Sequence, residues 1–337
     1  PLLSPNKTAL KEETKEETLS ETLSETPYHA TETDERSHRA AFSTQPIQPQ
    51  MDIPLQEVII ENELVKMALT NEGAGLKSVE LKQFKDEEAK NVLALLKDGV
   101  TEYHPLSIDN ILQKSNFRKQ RYTVTKQGGN MVTFTTQMEE GLLLVKTFSL
   151  FPDKYDVSVD IRIENNTDTE VALSYGIIAS SMIAHEGIPS SDMAAVAGMD
   201  MGNKRIKLVH IAPKEFPTKN ESVGIVWAGA INKYFATVLK PASSDLVASI
   251  NAQAFDAQGA LSNEKADLGD FMVTIQTHKF RVLPHEASNH SFIYYAGPKK
   301  DEFLKQYETL DALLSYGWFH IISKALLAFL NAVHRVI

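Results

Sequence analysis

Polarity along the chain changes character twice. Between about residues 55 and 297, short runs rich in Val, Ile, Thr, Phe and Tyr recur, many with alternating polar and apolar positions. Gly, Asn and Asp separate them. The best runs are 57–69, 76–81, 121–126, 131–137, 143–151, 155–164 and 170–178, followed by 206–211, 224–228, 235–239, 246–255, 271–281 and 291–296. Alternation of this kind places one face of a strand in a core and the other in water. Turn signals fall between the runs at 71–75, 127–130, 151–154 and 165–168. About thirteen strands at hairpin spacing, with no helical repeats between them, predict an antiparallel β-sandwich. No fixed-period repeat appears, which disfavours a propeller.

The pattern turns helical after Gly297-Pro298. Phe303, Leu304, Tyr307, Leu310, Leu313 and Leu314 recur at helical spacing, with Lys299, Lys300, Lys305, Glu308 and Asp311 outward. Pro298 stands where a first-turn proline would. This predicts a packing helix over 298–315 that closes the sandwich. The stretch 316–337 is different. At about 100° per residue, Trp318, Phe319, Ile322, Leu326, Phe329, Leu330 and Val333 share one face, while Lys324 and Arg335 lie on the other. All its charge is basic. Lys and Arg are costly at a bilayer centre, yet the face suits the membrane–water interface. An amphipathic interfacial helix is expected here; a helix packed on the protein's own core is the alternative.

Residues 1–54 contain the low-complexity run KEETKEETLSETLSET at 11–26. Such a run is too poor in apolar groups to offset its ordering entropy, so a disordered acidic linker is expected. The net charge of the whole chain is -10, which argues against a nucleic-acid partner. With no cysteine, disulfide frameworks, thiolate zinc sites and cysteine nucleophiles are excluded. The first residue is Pro, so a fragment or processed chain is expected, with any membrane anchor outside it.

Candidate chemistry is sparse. His185-Glu186, Asp192 and Asp200 fall in or beside a loop over 184–202, and His278, His285-Glu286 and His290 cluster in sequence. Adjacent residues of an extended segment point to opposite faces, so His185 and Glu186 do not converge naturally. No helical His pair, HExxH or GxSxG is present. No catalytic site, metal or cofactor is expected. The segment 224–241 (GIVWAGAINKYFATVLKP) is distinctive, and Trp227, Tyr234 and Phe235 are expected in the core.

That segment resembles the bacterial YidC family of membrane-protein insertases, in which a tryptophan precedes a Tyr-Phe-Ala-Thr run, here Trp227 and Tyr234-Phe235-Ala236-Thr237. Asn71-Glu72-Gly73-Ala74-Gly75-Leu76 and Tyr155-Asp156-Val157-Ser158-Val159 fit the same family. So does the junction from Leu310-Asp311 through Tyr316-Gly317-Trp318-Phe319 to Leu326. The resemblance covers 55–337. It implies a mutarotase-like β-supersandwich over 55–297 that faces the periplasm at the bacterial inner membrane. It also implies a role in insertion or chaperoning, with the lipid bilayer surface, nascent membrane proteins and the Sec translocon as partners. The insertase core itself would lie beyond Ile337. A carbohydrate-active mutarotase-like enzyme and a periplasmic sugar- or peptide-binding module are the alternatives.

Overall fold

The computed structural model describes residues 53–314, except for 97–100, 113–115, 139–140, 182, 186, 188–191, 204, 212–217, 221–223, 257–259 and 263–269. The linker over 1–54, save its last two residues, and the amphipathic stretch 316–337 lie outside the described residues. The described part is an antiparallel β-supersandwich, and every strand pairing among the described residues is antiparallel.

The largest sheet has nine strands. In spatial order they are Ile206–Ile211, Ala194–Asp200, Ile225–Ile231, Phe235–Pro241, Ala287–Pro298, Asp156–Asn165, Leu142–Leu150, Met131–Gln137 and Thr123–Gly128. Its middle strands show why they fold this way. Leu142–Leu150 alternates strictly between buried and half-buried positions, the period-2 signature of a strand with one face in a core. The strands Ala194–Asp200 and Ile225–Ile231 are buried almost throughout, because both faces of the sheet are covered there.

Part of the inner face packs on a six-stranded sheet whose main path runs Thr218–Asn220, Val247–Phe255, Phe271–Thr277, Tyr175–Ser181 and Ile108–Ile111. A buried hydrogen bond of 2.5 Å between the Ser180 and Thr237 hydroxyls crosses between the two. A four-stranded sheet, Glu57–Glu61, Val65–Thr70, Gly75–Lys85 and Val92–Leu96, contributes the third set of core side chains.

Where this N-terminal sheet meets the large one, a charge lies in the core. Lys146 sits in the inward register of Leu142–Leu150, between Leu144 and Phe148, and is 0% exposed. Its ammonium donates to the carbonyls of Ala74 (2.5 Å), Leu106 (2.5 Å) and Gly73 (3.3 Å). Three donors meet three acceptors, which is what a buried ammonium needs. The accepting residues are themselves unusual, with positive φ at Gly73 (70°), Ala74 (45°) and Leu106 (70°). Two of the three are not glycine and carry the strain of a left-handed backbone. Burial pushes the Lys146 pKa down to about 7.

The predicted packing helix over 298–315 is corrected. Pro298 ends a strand, so it opens no helix. Beyond it lie one α-helical turn, Asp301–Leu304, and a 3₁₀ turn, Leu310–Leu314. Tertiary hydrogen bonds break the helix between them. Tyr307 donates its hydroxyl to Asp156, and the Thr309 carbonyl accepts from the Trp227 indole at 3.1 Å. The apolar positions still face inward as expected: Leu304, Leu310 and Leu313 are buried. Phe303 stacks edge-on against Tyr155 at 4.9 Å. This segment covers the outer face of the large sheet beside Trp227, whose ring lies over Gly198 on the neighbouring strand. A Cβ at Gly198 would overlap the indole.

Two outcomes are expected. Between pH 7 and 9 an unfolded lysine keeps a proton that the buried one sheds, so the native state binds fewer protons and stability rises with pH. Lys146 should contribute a slope approaching about 1.4 kcal/mol per pH unit, read by urea unfolding at pH 7, 8 and 9. Lys146→Met should lack that slope; identical slopes in the two proteins would remove Lys146 as its source. In a strand, Gly→Ala ordinarily stabilises. Gly198→Ala should instead cost about 1–3 kcal/mol, and much less when combined with Trp227→Leu, by the same measurement.

Candidate functional site

The hairpin joining Ile225–Ile231 to Phe235–Pro241 turns on three residues, Asn232, Lys233 and Tyr234. Asn232 is fully buried and holds the turn from inside. Its Oδ1 accepts from the backbone N–H of Tyr234 (2.9 Å) and Phe235 (2.7 Å), and its Nδ2 donates to the Ala184 carbonyl (2.9 Å). An asparagine bonding its own backbone two and three residues on is a strong local turn device. With Asn232 turned inward, Lys233 and Tyr234 are left at the tip.

Tyr234 therefore departs from expectation. Trp227 and Phe235 are core aromatics, as read from the sequence, but Tyr234 is 53% exposed. The alternation of the strand ends at the turn, and Asn232 takes the interior position. The Tyr234 carbonyl accepts from Lys299 N at 2.7 Å, which joins this tip to the end of the last long strand.

The tip borders a cleft of about 440 Å³. Phe84, Tyr234 and Phe235 supply its aromatic surface, with Phe84 edge-on to Phe235 at 5.3 Å. Lysines stand round the rim. Lys233 lies over the Tyr234 ring at 5.2 Å and Lys300 over the Phe84 ring at 5.3 Å. Lys85 and the half-buried Lys299 complete it. Burial lowers the Lys299 pKa, and the charge of Asp192 works against that shift. The rim carboxylates face other groups. Asp86 accepts from Lys90 N, Asn91 N and the Asn91 side chain, which closes its own turn. Glu87 lies against Gly187. Such a cleft can hold an anion with an apolar neighbour.

Of the four histidines weighed from the sequence, three are engaged separately and His278 is exposed. His185 bonds Asp270 at 2.8 Å and His285 bonds Asp168 at 3.0 Å, the latter in an exposed turn as expected. His290 sits between the Tyr175 hydroxyl (2.8 Å) and the Ser288 hydroxyl (3.2 Å), edge-on to Phe280. Burial holds its pKa down at about 4, so it is neutral. Asp200 accepts from Gly202 N. No hydrogen bond among the described residues joins any two of these histidines. Glu186, like the nine interface residues from Trp318 to Arg335, lies outside the described residues.

The cleft is not visible in the sequence pattern. Helical spacing puts Lys299 and Lys300 on the solvent side of a helix, and Phe84-Lys85 looks like the end of an ordinary strand. Lysine beside an aromatic, as at Phe84-Lys85 and Lys233-Tyr234, does not single the cleft out, because Lys154-Tyr155 and Lys279-Phe280 show it as well.

The family described as the YidC periplasmic domain matches residues 57–329. The membrane protein insertase YidC of Geotalea uraniireducens is 22% identical over 300 residues, covering 83% of this chain and 52% of that protein. That of Beijerinckia indica is 24% identical over 324 residues, covering 86% and 50%. The chain thus spans about half the length of the curated relatives it matches. Among solved structures, a galactose mutarotase-like protein from Lactobacillus casei is similar with a TM-score of 0.46 and 11% identity, covering 72% of this chain and 100% of that one. A galactose mutarotase related enzyme from Lactobacillus acidophilus gives 0.48 and 9%, covering 73% and 99%. With the family match running from the first strand of the N-terminal sheet to beyond Leu314, the chain belongs to the YidC periplasmic-domain family.

Proposed function

We propose that this chain is the extracytoplasmic domain of a membrane-protein insertase. It faces the periplasm at the bacterial inner membrane and assists nascent membrane proteins, alone or with the Sec translocon. The observation that carries this reading is the family match over 57–329, which includes most of the amphipathic stretch. Curated relatives named as membrane protein insertases support it along more than four-fifths of the chain.

In this reading the sandwich is a docking and positioning body with no chemistry of its own. The separately engaged histidines fit that role. The stretch 316–337 lies in the outer surface of the bilayer, with Trp318, Phe319, Ile322, Leu326, Phe329, Leu330 and Val333 toward the acyl chains and Lys324 and Arg335 toward headgroups. Chaperoning of emerging segments follows from a rigid sandwich held at that surface.

Vesicle co-sedimentation tests the anchor. At about 2 kcal/mol for each leucine buried, Leu326→Asp combined with Leu330→Asp should weaken binding to phosphatidylcholine vesicles at least 100-fold. Unchanged binding would rule out lipid anchoring by this stretch. The carbohydrate alternative has its own readout. The chain should leave the rate of glucose anomer interconversion at the buffer value in polarimetry, and acceleration would favour an enzyme.

A further inference from the structure

The lysine-rimmed cleft beside Tyr234 plays no part in anchoring by 316–337. We propose that it is a headgroup site for anionic phospholipid, a second contact with the bilayer made by the folded sandwich itself. This inference rests on the membrane setting proposed above, but on none of the residues of 316–337.

Three observations favour it. The first is charge. The chain carries -10 overall, yet this cleft gathers four lysines from three separate segments of the chain. Among the described residues, Lys85, Lys233 and Lys300 form no ion pair. Unpaired ammonium groups that converge on one cleft attract a phosphate group.

The second is the way the lysines are seated. The ammonium groups of Lys233 and Lys300 lie over the Tyr234 and Phe84 rings. These cation–π seats hold both charges against the aromatic wall of the cleft. Tyr234, exposed at a hairpin tip, adds an apolar ring with a polar end, the side chain favoured at headgroup depth.

The third is size and shape. A volume of about 440 Å³ suits one small ligand. It fits a phosphate with the glycerol carbons against Phe84 and Phe235 better than a length of acidic polypeptide. Two carboxylates also line it, Asp86 hydrogen-bonded within its own turn and Glu87 beside Gly187, and the four lysines outnumber them.

The test uses the whole chain and two readouts. In the first, the triple variant Lys85→Gln, Lys233→Gln, Lys300→Gln is compared with the parent on vesicles of phosphatidylcholine with and without 30% phosphatidylglycerol. Each lysine at a charged surface is worth about 5-fold in binding, so the three together should lower affinity for the anionic vesicles on the order of 100-fold. Binding to pure phosphatidylcholine should not change. The double variant Leu326→Asp, Leu330→Asp behaves oppositely, losing the zwitterionic binding and keeping the dependence on phosphatidylglycerol, so the two readings fail separately.

In the second, a solvent-sensitive fluorophore is attached through Glu87→Cys, on the rim of the cleft. The chain has no cysteine, so the label has one address. Its emission should shift to the blue on phosphatidylglycerol vesicles and not with millimolar inorganic phosphate or polyglutamate. Equal affinities of the triple variant and parent for anionic vesicles would overturn the proposal. So would a shift produced by polyglutamate or by phosphate at the same concentrations, which would assign the cleft to an acidic polypeptide or to the free ion.

Discussion

One ammonium group organises the meeting of the sheets. Lys146 projects from the seventh strand of the nine-stranded sheet into a space where neighbouring positions hold leucine and phenylalanine. There it collects carbonyls from two loops, Gly73-Ala74 and Leu106. A hydrophobic side chain would fill the volume but leave those carbonyls in an apolar interior without donors. Those loops would then hold their left-handed backbone at a higher cost, and the N-terminal sheet would be less firmly seated. The same logic recurs with neutral groups. Buried Asn71 bonds the backbone of Gln56, Pro54 and Tyr122. Asn165 bonds Thr169 and Val282, and half-buried Asn62 reaches Phe151 and Lys154. Between hydrophobic strands, the turns are fixed by polar side chains that point inward.

Strands with one wet face were easy to read from the sequence. The runs 131–137 and 206–211 coincide with observed strands, and 143–151 and 155–164 are each offset by one residue. Strands without such a face were hard. Ala194–Asp200 is AAVAGMD, buried on both sides against Trp227 and the opposite sheet, and shows no alternation. Val92–Leu96, Ile108–Ile111, Thr218–Asn220 and Leu261–Ser262 are too short to stand out. The run 57–69 is two strands, because Asn62 accepts from Leu64 N and Val65 N and turns the chain between them. The runs 170–178 and 271–281 each divide as well. Their outer parts, Val171–Leu173 and Phe280–Val282, pair with each other in a small separate ladder, while Tyr175–Ser181 and Phe271–Thr277 belong to the six-stranded sheet. Both strands bend together near Thr277, whose hydroxyl accepts from Tyr175 N. Cross-strand events of this kind leave no mark on either segment alone.

The closing segment and the cleft were half legible for one common reason. Helical spacing located the buried leucines at 304, 310 and 313, but the backbone between them follows two partners far away in sequence, Trp227 and Asp156. The cleft likewise draws on residues near 84, 233 and 299, each unremarkable where it stands. A site assembled from the ends of three strands becomes visible only after the sheets have brought those ends together.

Asn232 has a consequence for recognition. Because the loop that presents Lys233 and Tyr234 is pinned by three interior hydrogen bonds, and Lys299 N fastens the Tyr234 carbonyl, its backbone already has one shape before any visitor arrives. A flexible loop would have to surrender its freedom on contact, whereas this one has little left to surrender. The surface should therefore engage and release quickly, discriminating by electrical sign and by fit to a fixed contour rather than by slow rearrangement.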